Sequence, residues 1–219
     1  MSRAVFTRAF ALLLCLAASA AAQDASNAHA PQPSEVFQKA AETPADAPRA
    51  FEFELSGFSY HVSANGNGRR EKGDSVRRFN LRLESGEEIA HVYFSKYEAD
   101  LLLVCEAARG DAFVARLEQP SMRARWKQRV PAHDIRAARA GDSLYLAVKG
   151  FVARLDLRKG VFVWKHGDLF ETREGQAYFG SFEVPSVAGD TVSFREAAVS
   201  PRPAKTIRVN RKTGQIIGN

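Results

Sequence analysis

The sequence predicts an all-β protein made of four-stranded antiparallel sheets repeated along the chain. Three observations carry this. Residues after Phe51 alternate strictly between apolar and polar in several short runs; turn formers interrupt those runs every several residues; and one segment recurs at a fixed displacement. A β-sandwich or barrel is the alternative architecture for the first two observations alone.

The chain opens with an export pattern. Arg3 and Arg8 precede the apolar run 9–18, and Ala20-Ala21-Ala22 offers a small-residue cleavage site before Gln23, so residues 1–22 read as a signal peptide. The run is too short to cross a bilayer, which takes about 20 apolar residues. No later stretch approaches that length, so no transmembrane segment is expected after cleavage. Cys15 follows Leu14, which is not the small residue a lipoprotein signal wants, so lipidation is disfavoured. The expected location is the periplasm or the exterior. Removing Arg3 and Arg8 lowers the formal charge from +6 by two, to +4.

Residues 23–50 are rich in Ala and Pro, with Pro31, Pro33, Pro44 and Pro48, and read as a disordered leader. Within it only 34–42 has the spacing of a helical turn, capped by Ser34. Residues 51–219 are the β-repeat domain. Phe51 to Leu55, Phe79 to Leu83 and Thr191 to Arg195 alternate. Asn65-Gly66-Asn67-Gly68 marks a turn, after which Arg69 to Asp74 reads as a charged loop. The nearest helix candidate in this domain is 131–139.

Phe113-Val114-Ala115-Arg116-Leu117-Glu118 returns 38 residues later as Phe151-Val152-Ala153-Arg154-Leu155-Asp156. Both tryptophans keep the register, since Trp126 and Trp164 each follow the repeated Leu by nine residues. Val209 to Gly214 overlies Leu155 to Gly160 as a further copy, and Leu81 to Gly86 is a weaker one. Ala140 to Tyr145 matches Ala188 to Ser193. Each unit therefore reads as four strands with glycine-bearing turns. Gly160 and Gly214 supply the positive φ a tight turn needs, Asp156 hydrogen-bonds the turn backbone, and the tryptophans close one sheet on the next.

Ala153 to Trp164 resembles the tryptophan-docking, or PQQ-like, repeat of the quinoprotein dehydrogenase-like β-propellers, whose pattern runs Ala-x-x-Asp-x-x-Thr-Gly-x-x-x-Trp. Thr213-Gly214 restores that family's Thr-Gly, while Gly218 stands where its Trp belongs and Ser121-Met122 replaces Thr-Gly in an earlier copy. The resemblance implies blades of a propeller. Family members carry six to eight blades, whereas 51–219 holds about four at ~40–45 residues each. A small ring, an open partial propeller, or a homodimer completing one are the three ways to arrange them.

The family's enzymes bind calcium and a quinone through clustered acids, an Asn and an adjacent cysteine pair. Cys105, in the apolar run Leu101 to Cys105, is the one cysteine after residue 22, and no Asp-x-Asp-x-Asp loop is present. No cofactor, metal or catalytic constellation is therefore expected; His91 and His166 are the ligand suspects, and a truncated quinoprotein oxidoreductase, or a subunit of one, is the alternative. The strongest charge feature is Arg123, Arg125, Lys127 and Arg129, expected to project from one face of a strand with Trp126 on the other. As a binding surface this ladder suits a protein groove or an envelope polyanion, with nucleic acid disfavoured. The resulting expectation is a non-catalytic binding or scaffold protein of the bacterial envelope.

Overall fold

The computed structural model describes residues 37–131, 135–167, 169, 181–197 and 203–218. Residues 1–22, read from the sequence as a signal peptide, and 23–36 of the stretch read as a leader lie outside them, as do His29 and His133. The described residues form an all-β protein of four antiparallel sheets. The first sheet comprises β2 (Ala41–Glu42), β3 (Ala50–Leu55), β4 (Phe58–Ser63), β5 (Asn67–Lys72) and β6 (Ser75–Asn80), in that order. The second comprises β1 (Gln38–Lys39), β7 (Ile89–Tyr97), β8 (Asp100–Ala107), β9 (Asp111–Leu117) and β10 (Ala124–Pro131). The third runs β11 (Arg136–Ala140), β12 (Ser143–Val148), β13 (Phe151–Asp156) and β14 (Val161–His166). The fourth runs β15 (Ser186–Ala188), β16 (Thr191–Arg195), β17 (Thr206–Asn210) and β18 (Ile216–Gly218).

Three apolar layers join neighbouring sheets. Phe51, Phe53, Tyr60 and Val62 meet Leu101, Leu103, Cys105 and Phe113 between the first and second sheets. Leu102, Val104 and Val114 meet Leu144, Leu146, Phe151 and Leu155 between the second and third. Tyr145, Val152 and Trp164 meet Val192, Phe194, Ile207 and Val209 between the third and fourth. Among the described residues no such layer joins the fourth sheet to the first, so the blades form an incomplete propeller, open between its end sheets.

That arrangement accounts for the patterning. Middle strands are covered on both faces, so β8 and β12 are buried throughout and read as continuous apolar runs. End sheets are covered on one face only, so β3 and β16 alternate. Of the three alternating runs, Phe51 to Leu55 and Thr191 to Arg195 lie in end-sheet strands, and Phe79 to Leu83 begins in β6 and continues past its end. Glu52, Glu54, Ser59 and Arg69 point outward from the first sheet; Thr191, Ser193, Arg195 and Arg208 do so from the fourth.

Three local expectations are corrected by tertiary pairing. Residues 38–42 are extended, not helical: β1 pairs with β7, Ala40 N–H donates to Val92 O at 2.9 Å, and β2 pairs with β3. A single helical turn is too short to persist against two waiting strand edges. Phe37 packs in the second layer and Ala40 in the first, so this stretch straps the sheets together. Arg69 to Lys72 belongs to β5, with Arg70 buried and Arg69 paired to Glu71 at 2.9 Å. Arg136 to Arg139 lies in β11 rather than in a helix.

Candidate functional site

The repeated turns are built as the sequence suggests. Asp156 Oδ1 accepts from the N–H groups of Arg158 (2.8 Å) and Lys159 (3.0 Å), and Gly160 N–H donates to Asp156 O at 2.8 Å. Asn210 repeats this toward Lys212 (2.9 Å) and Thr213 (3.1 Å), with Gly214 N–H on Asn210 O at 2.9 Å. Each turn receives the tryptophan of the preceding sheet. Trp126 Nε1 donates to Leu157 O and Trp164 Nε1 to Arg211 O, both at 3.0 Å. The glycines are required twice over. Their φ values are 71° and 77°, and a Cβ on Gly160 would stand 2.3 Å from Trp126 Cγ, one on Gly214 2.6 Å from Trp164 Cγ. At the earlier copy Met122 takes the same turn with φ 60° and donates to Glu118 O at 2.7 Å.

A second donor to these carbonyls escaped the sequence reading. Arg116 Nη1 donates to Leu157 O at 3.2 Å and Arg154 Nη1 to Arg211 O at 2.8 Å. Arg70 donates to Gln119 O, the matching carbonyl of the second sheet. The next-to-last strand of each of the first three sheets, β5, β9 and β13, thus grips the next sheet's turn with an arginine. Arg208 occupies the same repeat position on β17 and is exposed, with no partner among the described residues. The signal was on view as the fourth residue of Phe-Val-Ala-Arg in both copies.

The basic ladder does not form one face. A β-bulge between Ala124 and Trp126 places Ala124 opposite Leu117 but Trp126 opposite Arg116, so the alternation expected from Arg123 to Arg129 reverses at Arg125. Matching bulges precede Trp164 and Gly218, at Val163 and Ile217. The cations are also largely compensated. Arg125 pairs with Asp100 (2.7 Å) and Glu118 (2.8 Å), and Arg129 with Asp111 (3.2 Å). Lys127 stands 3.9 Å from the Phe113 ring centroid and donates to Arg82 O. Arg123 is exposed.

Burial pushes the Cys105 thiol far above its ordinary range, which removes the thiolate a nucleophile needs. His166 Nε2 lies 2.8 Å from Gly214 O. His91, whose buried Nδ1 has no hydrogen-bond partner, is held below its usual pKa by desolvation, then by Lys39 and Arg49, against Glu42. Among the described residues no group of three His, Cys, Asp or Glu is placed to hold a metal, and no helix is long and apolar enough to cross a membrane.

One cleft of about 360 Å³ opens in the seam between the second and third sheets, at the end opposite the Trp126 dock. Phe151 and Phe162 form an edge-to-face wall at 5.8 Å; Val130 and Pro131 face them, with Arg129 and Lys165 also lining.

No protein-family model matches the chain, and no curated protein matches it. Among solved structures, BamB from Moraxella catarrhalis is 18% identical with a TM-score of 0.45, covering 84% of this chain and 51% of that one. The computationally designed Ika8 protein is 11% identical with a TM-score of 0.45, over 77% and 48%. The WD40 domain of SCAP from fission yeast is 11% identical with a TM-score of 0.40, over 84% and 47%. The chain spans about half the length of each of these structures, and its blade architecture rests on its own four sheets and their docking bonds.

Proposed function

We propose that this chain is an exported, non-catalytic binding scaffold of the bacterial envelope that recognises a protein partner. The observation that supports this most is the locking of sheet to sheet by paired Arg and Trp donors on turn carbonyls, which fixes the seams between blades as preformed surfaces. A protein partner is favoured over a polyanion because Arg125 and Arg129 are already satisfied by carboxylates. A polyanion would have to compete for these guanidinium groups with Asp100 and Asp111, which are buried and already held in place against them. A homodimer that completes a ring would have to bury Glu52, Glu54 and Arg69 of one end sheet against Arg195 and Arg208 of the other, which carries a desolvation cost that the apolar layers inside the molecule do not meet.

Cell fractionation with mass determination of the processed chain tests export; a cytoplasmic, unprocessed product overturns it. Light scattering across a concentration series is expected to report a monomer, and a stoichiometric dimer restores the ring-completing reading. Saturable spectral binding of pyrroloquinoline quinone in the presence of calcium would replace the non-catalytic reading with the oxidoreductase one.

A further inference from the structure

We propose that the cleft between the second and third sheets is a docking site for an aromatic side chain flanked by a carboxylate on an extended segment of a partner protein; this rests on the binding-scaffold reading. Trp126 fills the turn end of this seam, held by Leu157 O, and leaves the other end open. The wall there is Phe151 and Phe162, with ring centroids 5.8 Å apart and planes at 71°, and Val130 lies against it fully buried. Aromatic edges and faces of this kind take a third ring in offset or edge-on contact, and the volume, about 360 Å³, suits one aromatic side chain and its immediate neighbours.

Charge decides what accompanies the ring. Two lining residues are cationic and none is acidic. Arg129 is ion-paired with Asp111 at 3.2 Å, so Lys165 is the lining charge that no described residue neutralises. Its Nζ stands 5.9 Å from the Phe162 centroid, over the wall and at the mouth. Because β14 places Lys165 opposite Ala153 in the second layer, the ammonium is directed to the same side as Phe162 and the seam. An apolar floor with one uncompensated cation at its rim selects a ring next to an anion. A polyanion alone gains nothing from the phenyl wall, and a neutral aromatic leaves Lys165 without a partner.

The test is titration of the isotopically labelled protein with Ac-Glu-Phe-NH2, followed by amide and side-chain chemical shifts. Saturable shifts at Phe151, Phe162 and Lys165 are expected, with affinity falling at least fivefold for Ac-Gln-Phe-NH2, for Ac-Glu-Ala-NH2 and in Lys165→Glu. The Lys165 substitution sits on an exposed side chain and is expected to leave other resonances in place; Phe162→Leu, which keeps the apolar volume, tests the ring should larger changes unfold the protein. Equal affinity for the Gln peptide and in Lys165→Glu overturns the carboxylate, and absence of saturable shifts at these residues overturns the site. Failure of the scaffold reading is separate: quinone binding in the calcium experiment overturns that reading whatever the peptide does.

Discussion

The junction between the third and fourth sheets and that between the first and second perform the same task with different residues. In the former, Arg211 O receives two side-chain donors, Arg154 and Trp164, and Gly214 lies flat beneath the indole. In the latter, Gln119 O receives Arg70, and the residue opposite Arg70, where the tryptophan would stand, is the exposed Arg77. The missing indole is offset elsewhere. Phe53 stacks on Tyr60 (4.7 Å) and Phe94 (4.3 Å), Gln119 Nε2 donates to Tyr60 Oη at 3.0 Å, and residues 37–42 strap the two sheets from the side. The seam between blades is thus defined by an acceptor carbonyl and an arginine on the next-to-last strand, with the tryptophan as an addition.

The comparison breaks most sharply at Trp164. Trp164→Ala is expected to cost about 3–5 kcal/mol in urea unfolding, whereas Arg77→Ala at the corresponding first-sheet position stays within about 0.5 kcal/mol. Comparable losses at both sites would mean that Arg77 carries the same load as the tryptophan, and the contrast between the two junctions would fail. Gly214→Ala comes next, at about 1–3 kcal/mol from its positive φ and the indole contact. Most of the contact part should vanish in a Trp164→Ala background, which a double-mutant cycle measures.

The arginines sharpen the comparison further. Arg70→Met removes the side-chain donor to Gln119 O and is expected to cost about 1–3 kcal/mol. Arg154→Met leaves Arg211 O still bonded by Trp164 and should cost about 1 kcal/mol. Arg208→Met, at the same repeat position without an acceptor, should be neutral within about 0.5 kcal/mol. The reverse order would sink the docking assignment.

The smallest expected effect distinguishes the first junction by pH. His91 lies on β7 beside the strap, and its folded pKa is lowered, first by desolvation and then by Lys39 and Arg49. The neutral form is favoured in the fold, so the stability it supports is present above the unfolded value near 6.5 and is lost as pH falls toward and through the lowered folded value. The protection of the Ala40 amide, its exchange rate relative to that of an unstructured peptide at the same pH, should fall on acidification while that of Gly214 does not. His91→Gln should remove the difference.

Much of the blade was legible because its signals are local. Asp156, Gly160, Gly214 and the tryptophans sit within one hairpin or a fixed spacing from it, so their roles follow from turn geometry. The alternation in Phe51 to Leu55 and Thr191 to Arg195 also held information beyond strand identity, since only a sheet with one uncovered face can alternate so cleanly. What stayed hidden depends on contacts between distant parts. The bulge at Arg125 is set by pairing with β9, the acids facing the ladder come from positions 100, 111 and 118, and the strap at 37–42 takes its extended form from β7 and β3. Arg116 and Arg154 were visible as a repeat and Arg70 as part of a charged loop, but none as a donor, because their acceptors lie 41 to 57 residues further along the chain.

All of those acceptors lie further along, and none lies behind. Arg70 reaches forward to Gln119, Arg116 and Trp126 to Leu157, Arg154 and Trp164 to Arg211. Each sheet is therefore left incomplete until its successor arrives, and each arrival clasps what came before without loosening it. A chain threaded out N-terminus first would assemble as a one-way ratchet, in the order in which its sheets emerge.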